Sequence, residues 1–334
     1  MPSDPPRVLV TGAGGPSGVS ILQAMEGAPV VMLAADVDPY AAGLYLVPSE
    51  RRAILPRGDD PRFVAAVLEI CRRERVDVVV PTVDTELLPL AAARARYADA
   101  GVGLVLASQQ TLAVCLDKWL LAERCRDAVR TPATALVDDA FAAAAWTLPT
   151  IVKPRSGSGS RGIRILERRE ELDALERDGT LLVQEYLPGA EYSLDVLARA
   201  DGHVAGVVPR ARLKVDSGIA VTARTLHDQR LDTFARRVAL LIGLTSVANV
   251  QVRDDAAGAP ALLEVNSRFP GSMPLTVASG IDMPRLAIGE ALGTRIPDGP
   301  LPFEDIAMVR FLQERFFPVD DIADLQRDAA RIAA

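Results

Sequence analysis

Two apolar stretches, "SVANVQVRD" (246–254) and "PALLEVNSRF" (260–269), carry polar residues two apart. The polar, glycine-containing "DDAAGA" between them predicts an antiparallel hairpin. Side chains alternate faces along a strand. Asn249 and Gln251 therefore share one face with Glu264, Asn266 and Arg268, and Val250, Val252, Leu263 and Val265 are left for the core. A carboxylate beside carboxamides is a donor set for a hard cation such as Mg²⁺, completed by water and phosphate oxygens. A guanidinium next to it can grip a transferring phosphate.

A second stretch, "IVKPRSGSGSRGI" (151–163), is a strand ending in lysine and proline, a loop of small residues, and a returning strand. Ser156, Gly157, Ser158, Gly159, Ser160 and Gly162 can fold closely over an anion and offer backbone amides, with Lys153 neutralising charge and Arg161 assisting. No GK[ST] opens a helix, so this is not a Walker A loop. Alone, the loop reads equally as a flexible surface hairpin. "LLVQEYLPGAEY" (181–192) ends a strand at a turn. There the backbone of Glu185 and Leu187 suits an adenine edge, with Gln184 and Tyr186 beside them as further nucleotide-binding candidates, and Glu191 suits ribose hydroxyls. Its bland reading is a strand and a proline-glycine turn. Lysine is scarce, occurring only at 118, 153 and 214 against 34 arginines, so each lysine invites a role for a compact ammonium. Lys118 equally suits a snorkelling position on an amphipathic helix.

These residues need a frame. The first hundred alternate strand and helix: "RVLVT", "VVMLAADVD", "VDVVVP" and "GVGLVLAS" are strands, with helices between them. "VDVVVP" is apolar on both faces, as a parallel sheet covered by helices requires. The pattern predicts a doubly wound α/β domain over 1–110. "QQTLAVCLDKWLLAERCRDA" reads as one linking helix with Leu112, Leu116, Trp119 and Leu120 in a stripe. Short strands follow over 111–188, then longer antiparallel ones over 189–334, ending in a strand "MVRFLQERFF".

The opening "VLVTGAGGPSGVSIL" (8–22) raises a competing reading. Gly12, Gly15 and Gly18 fit GxxGxxG. Gly12 and Gly14 begin GxGxxG, with Ser17 in place of its last glycine, and Asp36 could bind a ribose. An NAD(P)-linked oxidoreductase is therefore one alternative. A plain strand-to-helix turn explains the same glycines, and the domain offers no Tyr-x-x-x-Lys pair. Asp84, Thr85 and Glu86 follow "VDVVVP" where ligands of parallel sheets bind; they suit an ammonium or hydroxyl, or the cap of the next helix.

Composition narrows the classes. The chain has 334 residues, 49% hydrophobic and 4% aromatic, and a net charge of −7. The acidic balance argues against nucleic acid or anionic membrane as partners. No apolar run reaches the roughly 20 residues of a membrane span, and the N-terminus lacks the regions of a signal peptide. Three cysteines without metal spacing and two histidines leave zinc and Ser-His-Asp chemistry poorly supplied. These features point to the cytoplasm.

As an ordered set, "DKW", "VKPRSGSGSRGI", "VQEYLPGAEYSLD", "ANVQ" and "LEVNSRFPGSMPLT" resemble the ATP-grasp superfamily, most closely one synthetase half of carbamoyl-phosphate synthase and stand-alone carboxylate–amine ligases. "LVTGAGGPSG" and "VPTVDTEL" resemble the Rossmann-like pre-ATP-grasp domain. The resemblance implies that fold, followed by a two-lobed ATP-grasp domain, over residues 7 to 290. It implies ATP between the lobes, Lys118 and Lys153 on its phosphates, and 156–162 as a mobile cover. Glu185, Leu187 and Glu191 would hold adenine and ribose. Mg²⁺, with Mn²⁺ as an alternative, would sit on Glu264, Asn266 and Gln251, with Arg268 on the γ-phosphate and Lys214 on a strand lining the cleft. The implied activity is ADP-forming: a carboxylate becomes an acyl phosphate and an amine displaces phosphate. Ser272, and more weakly Arg210 and Arg212, would hold the substrate carboxylate. Partners are small molecules, with a homodimer as a candidate assembly. A non-catalytic ATP-binding regulator is the remaining alternative.

Overall fold

A computed structural model describes residues 4–157, 159, 161–216 and 218–333; Ser158 and Ser160 of the small-residue loop lie outside them. Three sheets organise the described residues. β1 (Arg7–Thr11), β2 (Val31–Asp36), β3 (Arg52–Ile54), β4 (Val78–Pro81) and β5 (Gly103–Leu104) form a parallel sheet in the order β3-β2-β1-β4-β5. Its centre is completely buried: Val8, Leu9, Val10, Val78, Val79 and Val80 expose nothing. Such continuous aliphatic runs are what helices on both faces demand.

β6 (Thr134–Leu136), β7 (Thr150–Pro154), β8 (Arg164–Leu166) and β9 (Leu181–Glu185) make a small antiparallel sheet, ordered β6-β9-β7-β8. It has its own core of Val137, Phe141, Val152, Leu166, Leu172 and Val183. β10 (Glu191–Ala198), β11 (Val204–Asp216), β12 (Ile219–Thr225), β13 (Val247–Asp254), β14 (Pro260–Asn266) and β15 (Ala307–Val309) form the large antiparallel sheet, ordered β14-β13-β10-β11-β12-β15. The helix Gln229–Ile242 buries Leu231, Ala235, Val238, Ala239 and Ile242 in a core shared with Leu194, Val196, Val250, Val252 and Val265.

Four local expectations are corrected. The linking helix is two helices, Gln109–Cys115 and Lys118–Cys125. Asp117 causes the break by capping the second, accepting from the amides of Trp119 (2.9 Å) and Leu120 (3.2 Å). The break rotates the stripe, so Leu121 and Cys125 are buried and Leu120 is exposed. Leu263 leaves the core face because the hairpin register slips between Gln251 and Val252, pairing Gln251 with Glu264 and Val252 with Leu262. Leu262 and Val265 take the core positions. The terminal strand is only Ala307–Val309; Phe311, Leu312 and Phe316 beyond it are exposed. The chain ends in the helix Val319–Ala333, whose Leu325, Ala329 and Ile332 pack on the N-terminal core.

Part of the glycine turn at 12–18 is taken up by packing. A Cβ on Gly18 would lie 2.6 Å from Ala13 Cα, and one on Gly271 would lie 2.7 Å from Pro16 Cβ, so the first helix meets the large sheet's loops at backbone distance. Asp36 is turned onto the same loop, accepting from Gly14 N at 2.7 Å and Asp38 N at 3.0 Å. No helix among the described residues is long and apolar enough to cross a membrane.

Candidate active site

The β13–β14 hairpin sets one wall of a cleft. Asn249 is opposite Asn266 and Gln251 opposite Glu264. Asn266 Nδ2 donates to Glu264 Oε1 (3.1 Å) and Gln251 Nε2 makes a long contact to Asn249 Oδ1 (3.4 Å). Arg268 lies just past the strand, and all five side chains line one cavity of about 390 Å³. Beneath them Asp195 is fully buried and accepts from Arg210 Nε (2.9 Å) and Nη2 (2.6 Å), Asn249 Nδ2 (2.7 Å) and Thr276 Oγ1 (2.5 Å). A buried carboxylate is tolerable only with such full pairing. It was legible as the lone acid in the apolar run "YSLDVLA", a signal the motif reading passed over.

A second cavity, about 330 Å³, joins the hairpin to the small sheet. Lys118, Lys153, Ser156, Gly157, Arg161, Gln184, Glu185, Tyr186, Leu187, Glu191, Gln251 and Glu264 all line it. Ile151, Ile163, Ile165 and Leu263 supply an apolar surface there. Lys153 is the penultimate residue of β7 and is only 5% exposed, with Nζ 3.4 Å from Leu263 O. Burial drives its pKa down to about 8; Glu264 opposes the fall and Lys118 adds to it. Lys118 Nζ donates to Gly157 O at 2.7 Å, and Arg155 pairs with the capping Asp117 at 2.7 Å. The loop is thus tied at its start to the linking helices.

Two acids that motif reading gave to a nucleotide are paired within the protein. Glu185 accepts from Arg130 (2.8 and 2.9 Å) and from Ala133 N (2.9 Å), and its own N–H donates to Ala133 O at 2.8 Å. Glu191 is bracketed by Arg212 and by Arg253 (2.6 Å). Gln184 is buried and bonds Thr134 Oγ1. Arg130 and Arg253 were missed because single arginines outside a motif give no signal among 34.

A third cavity, about 770 Å³, lies on the N-terminal domain. Gly12, Gly15, Asp36, Asp84, Thr85 and Glu86 line it together with Pro154, Ser156, Gly157 and Arg161. Asp84 and Glu86 do not cap the following helix; Val83 holds the cap position and they occupy its first turn. Glu86 is 4% exposed and accepts from Thr11 Oγ1 at 2.6 Å. Burial raises its pKa to about 7, against the hydrogen bonds from Thr11 and the backbone of Val83 and Thr82. Arg161 touches all three cavities.

Of the remaining candidates, Arg210, Arg212 and Ser272 line the 390 Å³ cavity, as does Gly159. Arg210 is 1% exposed and committed to Asp195, so it offers only what that pair leaves free. Gly162 sits against Pro154 with a φ of +74°. Lys214 corrects the expectation of a cleft position: it is exposed on β11, between register irregularities on either side, and lines none of these cavities. The three cysteines are buried and unpaired, and burial raises Cys71 and Cys115 to about 12 and Cys125 to about 11, so none is a ready thiolate.

Comparison with known proteins finds two matching family models. Residues 177–314 match the family described as ATP-grasp in the biosynthetic pathway with Ter operon, and residues 8–105 match the PylC-like, N-terminal domain. The chain is 27% identical over 220 residues to the vancomycin/teicoplanin A-type resistance protein VanA of Enterococcus faecium, covering 56% of this chain and 63% of that protein. It is 26% identical over 292 residues to the carbamoyl phosphate synthase large chain of Rubrobacter xylanophilus, covering 80% of this chain and 27% of that one. It is 31% identical over 140 residues to the 3-methyl-D-ornithine–L-lysine ligase of Methanosarcina mazei, covering 40% and 36%. The matches thus span less than two thirds of each relative's length. The crystal structure of L-amino acid ligase from Bacillus licheniformis superimposes with a TM-score of 0.68 at 16% identity, covering 87% of this chain and 75% of that one. Residues 177–314 thus carry an ATP-grasp domain, with a PylC-like N-terminal domain ahead of it at 8–105.

Proposed function

We propose that this chain is an ADP-forming ligase that activates a small carboxylate with ATP and joins it to an amine. The observation that carries the reading is the meeting of the two cavities: Gln251 and Glu264 line both the space shared with Lys153 and the one shared with Asn266 and Arg268. A nucleotide with its base on the Glu185–Leu187 backbone and Ile163, Ile165 and Leu263 beside it would place its phosphates at that junction. Glu191 would take the ribose, and Lys118, Lys153 and the 156–162 loop the phosphates. Relatives named as a 3-methyl-D-ornithine–L-lysine ligase and an L-amino acid ligase support amide formation.

The donor set of one carboxylate and two carboxamides fits a hard divalent cation that arrives with phosphate oxygens. Mg²⁺ or Mn²⁺ on Glu264, Asn266 and Gln251 would neutralise the triphosphate. The carboxylate oxygen attacks the γ-phosphorus, and the bond to the ADP oxygen breaks. Arg268 and Lys153 balance the charge that develops. The amine then attacks the acyl carbon, phosphate leaves, and the amine loses a proton. The carboxylate belongs in the 390 Å³ cavity beside Arg210, Arg212 and Ser272, and the amine approaches from the 770 Å³ side, where Asp84, Thr85 and Glu86 lie. The cover excludes water from the acyl phosphate. We place the reaction in the cytoplasm, on small-molecule partners, and keep the homodimer as the assembly to test.

A phosphate-release screen tests this: amino acids and small acids taken pairwise with Mg·ATP. The expected result is pair-dependent ADP formation, abolished by Lys153→Ala or Glu264→Ala. ATP binding with no ADP formed for any pair would support a regulator instead. Enhanced NADPH or NADH fluorescence that is insensitive to Glu264→Ala would support the oxidoreductase.

A further inference from the structure

Arg268 sits on irregular backbone beyond the end of β14, so no strand ladder fixes its side chain. Its anchor comes from the opposite end of the chain. Nε donates to Asp84 Oδ1 at 2.6 Å, across 184 residues. Nη1 adds only a long contact to Phe269 O, 3.4 Å. Asp84 is the first residue of the helix Asp84–Ala92 that follows β4 of the parallel sheet. The two side chains are 17% and 21% exposed, and both line the 390 Å³ cavity.

We propose that Asp84 is a positioning residue for Arg268. A guanidinium is planar and presents its donors as a rigid fork. One carboxylate bond at Nε therefore orients the plane and leaves the Nη groups for a phosphoryl oxygen. Asp84 binds through a single oxygen and so does not occupy that fork. The N-terminal domain in this way takes part in the ATP cleft without touching the nucleotide, and a substrate seated beside Asp84 in the 770 Å³ cavity would be read out by Arg268. The inference rests on the reading of Arg268 as the γ-phosphate ligand.

The test compares the affinities of Mg·AMP-PNP and Mg·ADP by titration calorimetry in the full chain, since only the former carries a γ-phosphoryl group. Wild type is expected to favour Mg·AMP-PNP. Arg268→Gln and Asp84→Ala should each cut that preference by about tenfold, the scale of one hydrogen bond to a charged group. Mg·ADP affinity should stay within about twofold. Asp84→Asn, which keeps an acceptor oxygen, should retain part of the preference and guards against a misfolded alanine variant. If Arg268→Gln loses the preference while Asp84→Ala and Asp84→Asn keep it, the positioning role is overturned and the ligase reading stands. If Asp84→Ala weakens Mg·ADP equally, the role is merely structural and the proposal is again overturned. If wild type shows no preference, the assignment of Arg268 itself fails, and the proposal with it.

Discussion

Gln251 faces Glu264 directly across the hairpin, and the next pair in the register skips Leu263. That one extra residue frees the Leu263 carbonyl to meet Lys153 Nζ at 3.4 Å. A bulge thus joins the strand carrying the oxygen donors to the strand carrying the buried lysine. Bulges beside sites re-aim side chains in this manner. The consequences below follow from the charges this arrangement brings together.

Lys153 should take up a proton when nucleotide binds. Its pKa in the free protein is about 8, lowered by burial, and phosphate charge restores the protonated form. At pH 8.5, calorimetry in buffers of different ionisation enthalpy should report uptake of about 0.8 proton. Lys153→Met should report none. The same depression means that the free protein gains stability as pH rises from 8 toward the ordinary lysine value of 10.5, because the unfolded chain holds the proton longer.

Glu86 has the opposite sign. Its pKa is raised to about 7 by burial, so the folded chain holds a proton that the unfolded chain releases near 4.5. Its contribution is complete at pH 4 and is lost as pH rises through 7, about 3 kcal/mol at the limit. Chemical denaturation across pH 4.5–7.5 should show Glu86→Gln losing less stability than wild type over that window. Equal slopes would mean that Glu86 is ionised in the fold.

Asp117→Ala should act twice. It removes the cap of the helix Lys118–Cys125 and the partner of Arg155. Loss of the cap alone costs about 1 kcal/mol, read as a lower denaturation midpoint. The untied loop should also raise the KM for ATP several-fold, while Glu123→Ala on the same helix leaves KM unchanged.

Metal binding should depend on nucleotide. Among the described residues no group of three or more His, Cys, Asp or Glu side chains gathers at one point. Free Mn²⁺ measured by electron paramagnetic resonance should therefore fall little with protein alone and at least about tenfold more with ADP present. Glu264→Gln should remove that gain. Tight Mn²⁺ binding without nucleotide would contradict the assigned donors.

The parts of the molecule readable from sequence were those set by strong periodicity. Aliphatic runs such as "RVLVT" and "VDVVVP" read as central parallel strands, and the alternation in "ANVQ" and "LEVN" gave the polar face of the hairpin. What strict alternation could not supply was the bulge, since Leu263 and Leu262 are equally apolar and only the partner strand's register decides between them. Arg52 in β3 and the polar-rich helix Val319–Ala333 escaped for a related reason: each is held by distant groups, Arg52 by Asp321 at 2.8 Å. The carboxylates at 84, 185 and 191 were found by motif, but their arginine partners at 268, 130 and 253 are fixed by tertiary approach across tens to hundreds of residues.

The most direct measurement is the affinity of the whole chain for Mg·ATP beside that of Lys153→Met and Glu264→Gln. One nucleotide per chain is predicted, weakened at least about tenfold by either substitution, with adenosine binding unchanged. Mg·ATP binding that is indifferent to both substitutions would contradict the account.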